Sequence, residues 1–280
     1  RGSLGGDPPI LDTPLNRQTP RAARQWRPLV ADGLKFALLA GALAWLMAQA
    51  VEGLGYHWQW FRVPRYLLAA TDAGVVAGPL LRGLGVTFQI TGISLVLAFL
   101  LGLTTALLRL SSSPLGRLTS RVYLESVRNT PLLVQLFFIY FVLAPVLQIS
   151  AFASAVLALS LFEGAYASEI LRAGILSIHR SQWEAAFSLG LGTWRTYRLV
   201  ILPQAVRHIL PPLTSQAVSL IKDSALVSTI AIYDLTMQGQ AIVAETFLVF
   251  EIWFTVAAIY LIITLALSFT VAALERRLRI

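Results

Sequence analysis

SQWEAAFSLGLGTWRTYRLVILPQA, residues 181–205, is too polar to cross a bilayer and too patterned to be a slack loop. It nevertheless interrupts a chain that otherwise reads as membrane spans. Ser181 and Glu184 stand at the spacing of a capping box, where a serine caps a helix and a glutamate three residues on reaches back to it. That spacing predicts a short helix through about Leu189, broken by Gly190 and Gly192. Thr193 then caps a second helix that carries Trp194, Arg195, Tyr197 and Arg198 to the membrane surface, and Pro203 imposes a kink or a restart. The expectation is two short helices at an angle on one face of the membrane. By pattern alone they fit an amphipathic loop lying on headgroups as well as a docking element for another protein.

Working outward, the chain has 280 residues, 56% of them hydrophobic and only 13% charged, where soluble domains carry about 25% charged residues. Its mean hydropathy is +0.70. The long uncharged runs therefore decide the class: an all-α polytopic membrane protein. Phe36 to Val51 is a first apolar run, which Gly33 and Leu34 can extend. Gly85 to Leu108 carries no charge. Asn129 to Phe162 is uncharged and long enough for most of two spans, with a turn expected at Pro145. The second of these runs past Glu163 towards Arg172. His208 to Ile232 and Ile252 to Leu274 complete about six expected spans. Residues 1–33 read as a flexible tail, 34–84 as a first span with an extracytoplasmic loop, and 85–280 as the main membrane-spanning domain.

The basic residues sort onto one side. Arg17 to Arg27, Arg109 to Arg128, Arg172 to Arg207 and Arg276 to Arg279 share a face, whereas the opposite side holds only Arg62, Arg65 and Arg82. The positive-inside bias then places both termini and the 181–205 stretch in the cytoplasm. The net charge of +8 is accounted for by this bias, so no nucleic acid is expected as a partner; the lipid bilayer is. There is no cysteine, which excludes disulfides and thiol chemistry. Lys35 and Lys222 follow no glycine, so no P-loop is possible. His57, His179 and His208 lack zincin spacing. If ATP drives this protein, another chain hydrolyses it.

Glu184-Ala185-Ala186, then Gly190, then Val200-Ile201-Leu202-Pro203 resembles the EAA loop of type I ABC importer membrane subunits, with Val200 at a position the family gives to isoleucine. "ESVRNTPLLVQLFFIYF" from Glu125, "EGAYASEILRAGI" from Glu163 and "LPPLTSQAVSLIKDSALVSTIAIYDL" from Leu210 are similar to the polar amino-acid uptake permeases of histidine, glutamine and arginine type. The extra first span resembles the general or neutral L-amino acid branch. The resemblance implies a permease subunit with the type I importer fold, in a bacterial cytoplasmic (inner) membrane. It implies that Glu184, Ala185, Ala186, Gly190, Leu202 and Pro203 form a coupling helix for ATP-binding subunits. It also implies a second identical or paralogous permease and an extracytoplasmic amino-acid-binding protein. No cofactor or catalysis is expected on this chain; ATP and Mg belong to the partner ATPase. An ion-gradient-driven secondary amino-acid transporter is the alternative.

Ionisable groups inside spans are costly and face a partner or a pathway. Lys222 and Asp223 are adjacent, hence about 100° apart on a helix, and their candidate partners are Glu163 and Glu169, with Tyr166 between them. Asn129, Thr130 and Gln135 add neutral polar groups to the third span, and Ser219, Ser224 and Ser228 extend the polar face around Lys222. Two readings of these residues stay open at this stage: a site for a zwitterion at mid-membrane, or pins between helices.

Overall fold

The computed structural model describes residues 26–53, 56–71 and 74–278. It divides into two units, one ending at Trp58 and the other running from Gln59. The first contains α1 (Trp26–Gly53), 28 residues long. The expected span 36–51 lies wholly inside it, but the helix begins at Trp26, within the stretch expected to be tail. The remainder of that tail lies outside the described residues.

The second unit opens with a 3₁₀ turn at Trp60–Arg62, then α2 (Pro64–Leu67) and a two-stranded antiparallel ribbon. In the ribbon β1 (Leu68–Thr71) pairs with β2 (Gly74–Ala77), Leu68 opposite Ala77 and Thr71 opposite Gly74. These four-residue strands are too short to show a period of two. Gln59 N donates to the buried Glu251 carboxylate at 2.6 Å, and Gly78 N donates to Leu67 O at 2.7 Å, pinning the segment at both ends.

α3 (Pro79–Leu110) starts earlier than expected because Pro79, at its first turn, presets helical φ. α4 (Pro114–Arg128) is capped by Ser113, whose Oγ accepts from Gly116 N at 3.2 Å. After Asn129–Pro131 the chain turns into α5 (Leu132–Phe137), a π-helical turn at Phe138–Leu143, and α6 (Ala144–Leu147). α4 and the α5–α6 arm stand 106° apart. The turn expected at Pro145 falls just beyond it: Gln148 adopts φ 53° while its Nε2 donates to Pro145 O at 2.7 Å. Ser150 then caps α7 (Ala151–Leu176).

The stretch 181–205 forms α8 (Arg180–Ser188), α9 (Thr193–Thr196) and a π-helical turn at Tyr197–Ile201, which runs directly into α10 (Leu202–Asp223). A 3₁₀ segment at Ser224–Ile230 follows, then α11 (Leu235–Thr246) and α12 (Val249–Leu278). Pro79–Leu110, Ala151–Leu176 and Val249–Ala273 are long and apolar enough to cross a membrane, and the bent 114–147 pair adds a fourth if its arms make one span. α10, with Pro211, Pro212, Lys222 and Asp223, does not qualify by composition. The expected six spans are therefore not all matched by that measure among the described residues.

α3 and α7 pack closely because small residues meet. A Cβ at Gly102 would lie 2.8 Å from Ala167 Cβ and 3.0 Å from Gly164 O. Such small-residue contacts let helix backbones approach where lipid offers no hydrophobic drive. Between α7 and α10 the small residue is Gly174, which leaves room for the Ile209 side chain: a Cβ there would sit 2.2 Å from Ile209 Cγ1. Around α7 the apolar core falls into a central cluster including Ile90, Leu136, Leu159 and Leu220 and a cluster at the α8 end including Ala106, Leu171, Ile201 and Ile209. A third, with Leu80, Leu235 and Ile252, lies where α3, α11 and α12 meet.

Candidate functional site

The 181–205 stretch is a small platform with one buried side and one presented side. Ala186 is buried, and Trp183 packs edge-to-face on Tyr197 with ring centroids 4.8 Å apart. Leu189, Trp194 and Phe187 are exposed, Leu189 at 81%. Gly190 adopts φ +75°, the left-handed conformation that ends helices and favours glycine. Glu184 and Ala185 face solvent; Leu202 and Pro203 open α10.

The expected capping box does not form. His179 is the cap: its Nδ1 accepts from Ser181 N at 3.2 Å, and it contacts Ser181 Oγ at 2.7 Å. Glu184, displaced from that role, accepts from Arg180 Nε at 2.9 Å on the exposed face. The expected cap at Thr193 moves one residue back, to Gly192. Helix and break positions otherwise follow the sequence reading.

Within the helices the polar residues separate into distinct places. Glu163 on α7 is 2% exposed; its Oε2 accepts from Gln216 Nε2 at 2.6 Å, and its Oε1 is buried with no hydrogen-bond partner. Asp223, half-buried at the end of α10, lies against the same carboxyl. Ser224 is fully buried and donates to Ile221 O at 2.8 Å. Glu163 and Gln216 form one corner of a cavity of about 340 Å³ between α3, α7 and α10, walled otherwise by apolar side chains such as Leu95, Phe99 and Leu213. Two carboxyls in contact, one of them buried, are satisfied by a shared proton or by a positive partner. The arrangement offers acceptors to a cation next to an apolar wall.

Lys222 is elsewhere. It is exposed and lines a separate groove of about 380 Å³ with Ser215, Ser219 and Ser268, between α10 and α12. It does not meet Glu163 or Glu169. Glu169, expected as a candidate partner for Lys222 or Asp223, is instead surrounded by arginines. Arg109 and Arg172 both donate to it, Arg172 at 2.9 Å, and Arg128 lies 3.5 Å away. Tyr166 lies under Arg128, whose guanidinium is 5.8 Å from the ring centroid, and against Phe162.

Asn129, Thr130 and Gln135 build the bend between α4 and α5. Gln135 Nε2 donates to Val127 O and Thr130 O, Thr130 Oγ1 to Ser126 O at 2.8 Å, and Asn129 Nδ2 to Glu125 O at 2.8 Å. These polar groups reinforce the bend; Asn129 Nδ2 also donates to Glu125 Oε2 at 3.0 Å, and Glu125 O already accepts from Asn129 N at 3.2 Å. Sequence reasoning missed Gln216, although it stands seven residues before Asp223 on the same face of α10. It also missed Asp234, which caps α11 through Met237 N at 2.8 Å while its Oδ2 has no partner.

A family model described as binding-protein-dependent transport system inner membrane component matches residues 98–280. The chain belongs to this family. It is 42% identical over 204 residues to the glutamine transport system permease protein GlnP of Escherichia coli K12, covering 72% of this chain and 93% of that protein. It is 43% identical over 199 residues to the L-cystine transport system permease protein TcyB of Bacillus subtilis, covering 70% and 85%. Among solved structures, an amino acid ABC transporter with histidines aligns with TM-score 0.68 and 39% identity over 71% of this chain and 94% of that one. The methionine ABC transporter MetNI, at 19% identity and TM-score 0.60 over 72% and 96%, shares the fold. This chain is thus a multi-pass inner-membrane permease subunit with the type I importer fold.

Proposed function

We propose that this chain is the permease subunit of an ATP-driven ABC importer for polar L-amino acids, and that Glu163, Asp223 and Gln216 receive the substrate's ammonium. The observation that carries the reading is the Glu163 carboxylate, buried and short of one partner beside a cavity. An α-amino acid brings the missing cation, and the apolar wall meets the aliphatic part of its side chain. The amino-acid relatives support the substrate class.

In this reading α8, through Glu184, Ala185, Ala186 and Gly190, docks on ATP-binding subunits on the cytoplasmic side, where both termini also lie. A second identical or paralogous permease supplies the other docking helix, and an extracytoplasmic binding protein delivers the amino acid. ATP and Mg are held by the ATPase. ATP favours one of two states of the complex, and the permease pair follows by rigid-body movement. An ion-gradient-driven carrier leaves the exposed α8–α9 platform without a use.

The test is reconstitution in liposomes with the subunits that copurify. ATP hydrolysis should rise with amino-acid-loaded binding protein and vanish in Glu184→Lys. Uptake that follows an imposed ion gradient without ATP would sink the proposal.

A further inference from the structure

α4 carries three stripes. Gly116, Ser120 and Leu124 are buried against the protein. Leu115, Leu118 and Val122, at three- and four-residue spacing, are 69%, 59% and 57% exposed. Between these two stripes runs a basic row, Arg117, Arg121 and Arg128, all exposed. Arg117 and Arg121 form no ion pair among the described residues.

At the C-terminal end of the row, Arg128 joins Arg109 and Arg172 around Glu169. The three guanidiniums share one carboxylate and remain 47%, 26% and 29% exposed. Arg172 Nε is buried with no hydrogen-bond partner. Three guanidiniums around one carboxylate leave positive charge in excess, for Glu169 neutralises only one of the three. The cluster sits at the α8 end of the molecule, where α3 and α7 both finish. α4 stands 106° from the α5–α6 arm, so it crosses that arm's direction.

We propose that this face of α4 is a binding site for an anionic phospholipid of the leaflet at the α8 end. The phosphate is held at Arg128 and Arg172, where the guanidinium fork matches its oxygens. An acyl chain lies along Leu118 and Val122. Free phosphate shares the charge chemistry, but it has no use for the leucine stripe beside the arginines, which a lipid's acyl chain would cover.

The purified permease complex would be titrated with phosphatidylglycerol or phosphatidylcholine and read by native mass spectrometry, with inorganic phosphate as competitor. Phosphatidylglycerol should bind about tenfold more tightly than phosphatidylcholine, Arg128→Gln should remove most of that preference, and the exposed Arg121→Gln should lower it about twofold. Because the chain has no cysteine, a nitroxide on Leu118→Cys reports the stripe independently in an otherwise intact protein. It should be reached by oxygen and shielded from an aqueous nickel chelate. Equal binding of the two lipids overturns the site. Displacement by inorganic phosphate overturns the lipid assignment in favour of a soluble anion. A Leu118→Cys disulfide to a second copy overturns it in favour of a permease–permease contact.

Discussion

Glu163 and Glu169 stand on the same helix, less than two turns apart, and are treated in opposite ways. Glu169 has three arginines for one carboxylate. Glu163 has an amide on one oxygen, a second carboxyl beside it and nothing on the other oxygen. A glutamate with surplus cations ties α3, α4 and α7 together; in the proposed function the glutamate with a deficit receives the substrate's ammonium. The difference lies in what the neighbouring helices bring, and substitutions can separate the two roles.

Glu163→Ala should lower amino-acid uptake per folded complex by about 10- to 100-fold, the loss expected for a charge-assisted hydrogen bond of about 1.5–3 kcal/mol. Thermal stability should change little, and a variant with normal uptake would break the contrast. Gln216→Leu leaves the carboxylate in place but unheld, and should cost about 3- to 10-fold in uptake, about one ordinary hydrogen bond. Glu169→Ala should leave uptake per folded molecule near wild type while lowering stability by about 1–2 kcal/mol. A fully buried pair would cost more, but these groups are partly exposed. A change in substrate preference in that variant would erase the distinction.

Asp234 is another buried carboxyl, and it lies outside the helices long and apolar enough to cross a membrane. Burial pushes its carboxyl up from 3.8 to about 6. The folded state therefore holds the proton more tightly than the unfolded one, so this group's contribution is fully present below pH 3.8 and drains away as pH rises towards 6. Asp234→Asn keeps a capping oxygen, should leave uptake unchanged, and should flatten that part of the stability–pH profile. A slope that survives the substitution would place its origin elsewhere.

The sequence announced what local chemistry controls. Gly190 ends α8, Ser150 and Pro145 bracket the turn before α7, and the uncharged runs locate α3, α7 and α12. It misled where a nearer donor or acceptor competed. His179, two residues from the Ser181 amide, took the cap that Ser181 and Glu184 were expected to share. The 106° bend lay inside an uncharged run, and the polar residues that build it, Asn129, Thr130 and Gln135, resemble pathway residues until their backbone partners are seen. For the site, carboxylates could be nominated but not sorted: Glu169 meets Arg109 across 60 positions of sequence, and Glu163 meets Gln216 across 53. No helical period encodes those encounters.

One feature of the backbone links the α8–α9 platform to the Glu163 carboxyl as a shaft links a handle to a key. From Thr193 the chain stays helical through the π-turn at Tyr197–Ile201 to Asp223. A π-turn stores an extra residue within a helix. Were that turn to relax into α geometry, everything beyond it would rotate by about 100°, the angle one residue subtends. Asp223 would swing away from Glu163 with no change at either carboxyl. A one-residue change of register at that turn would take apart the pair at the far end of α10.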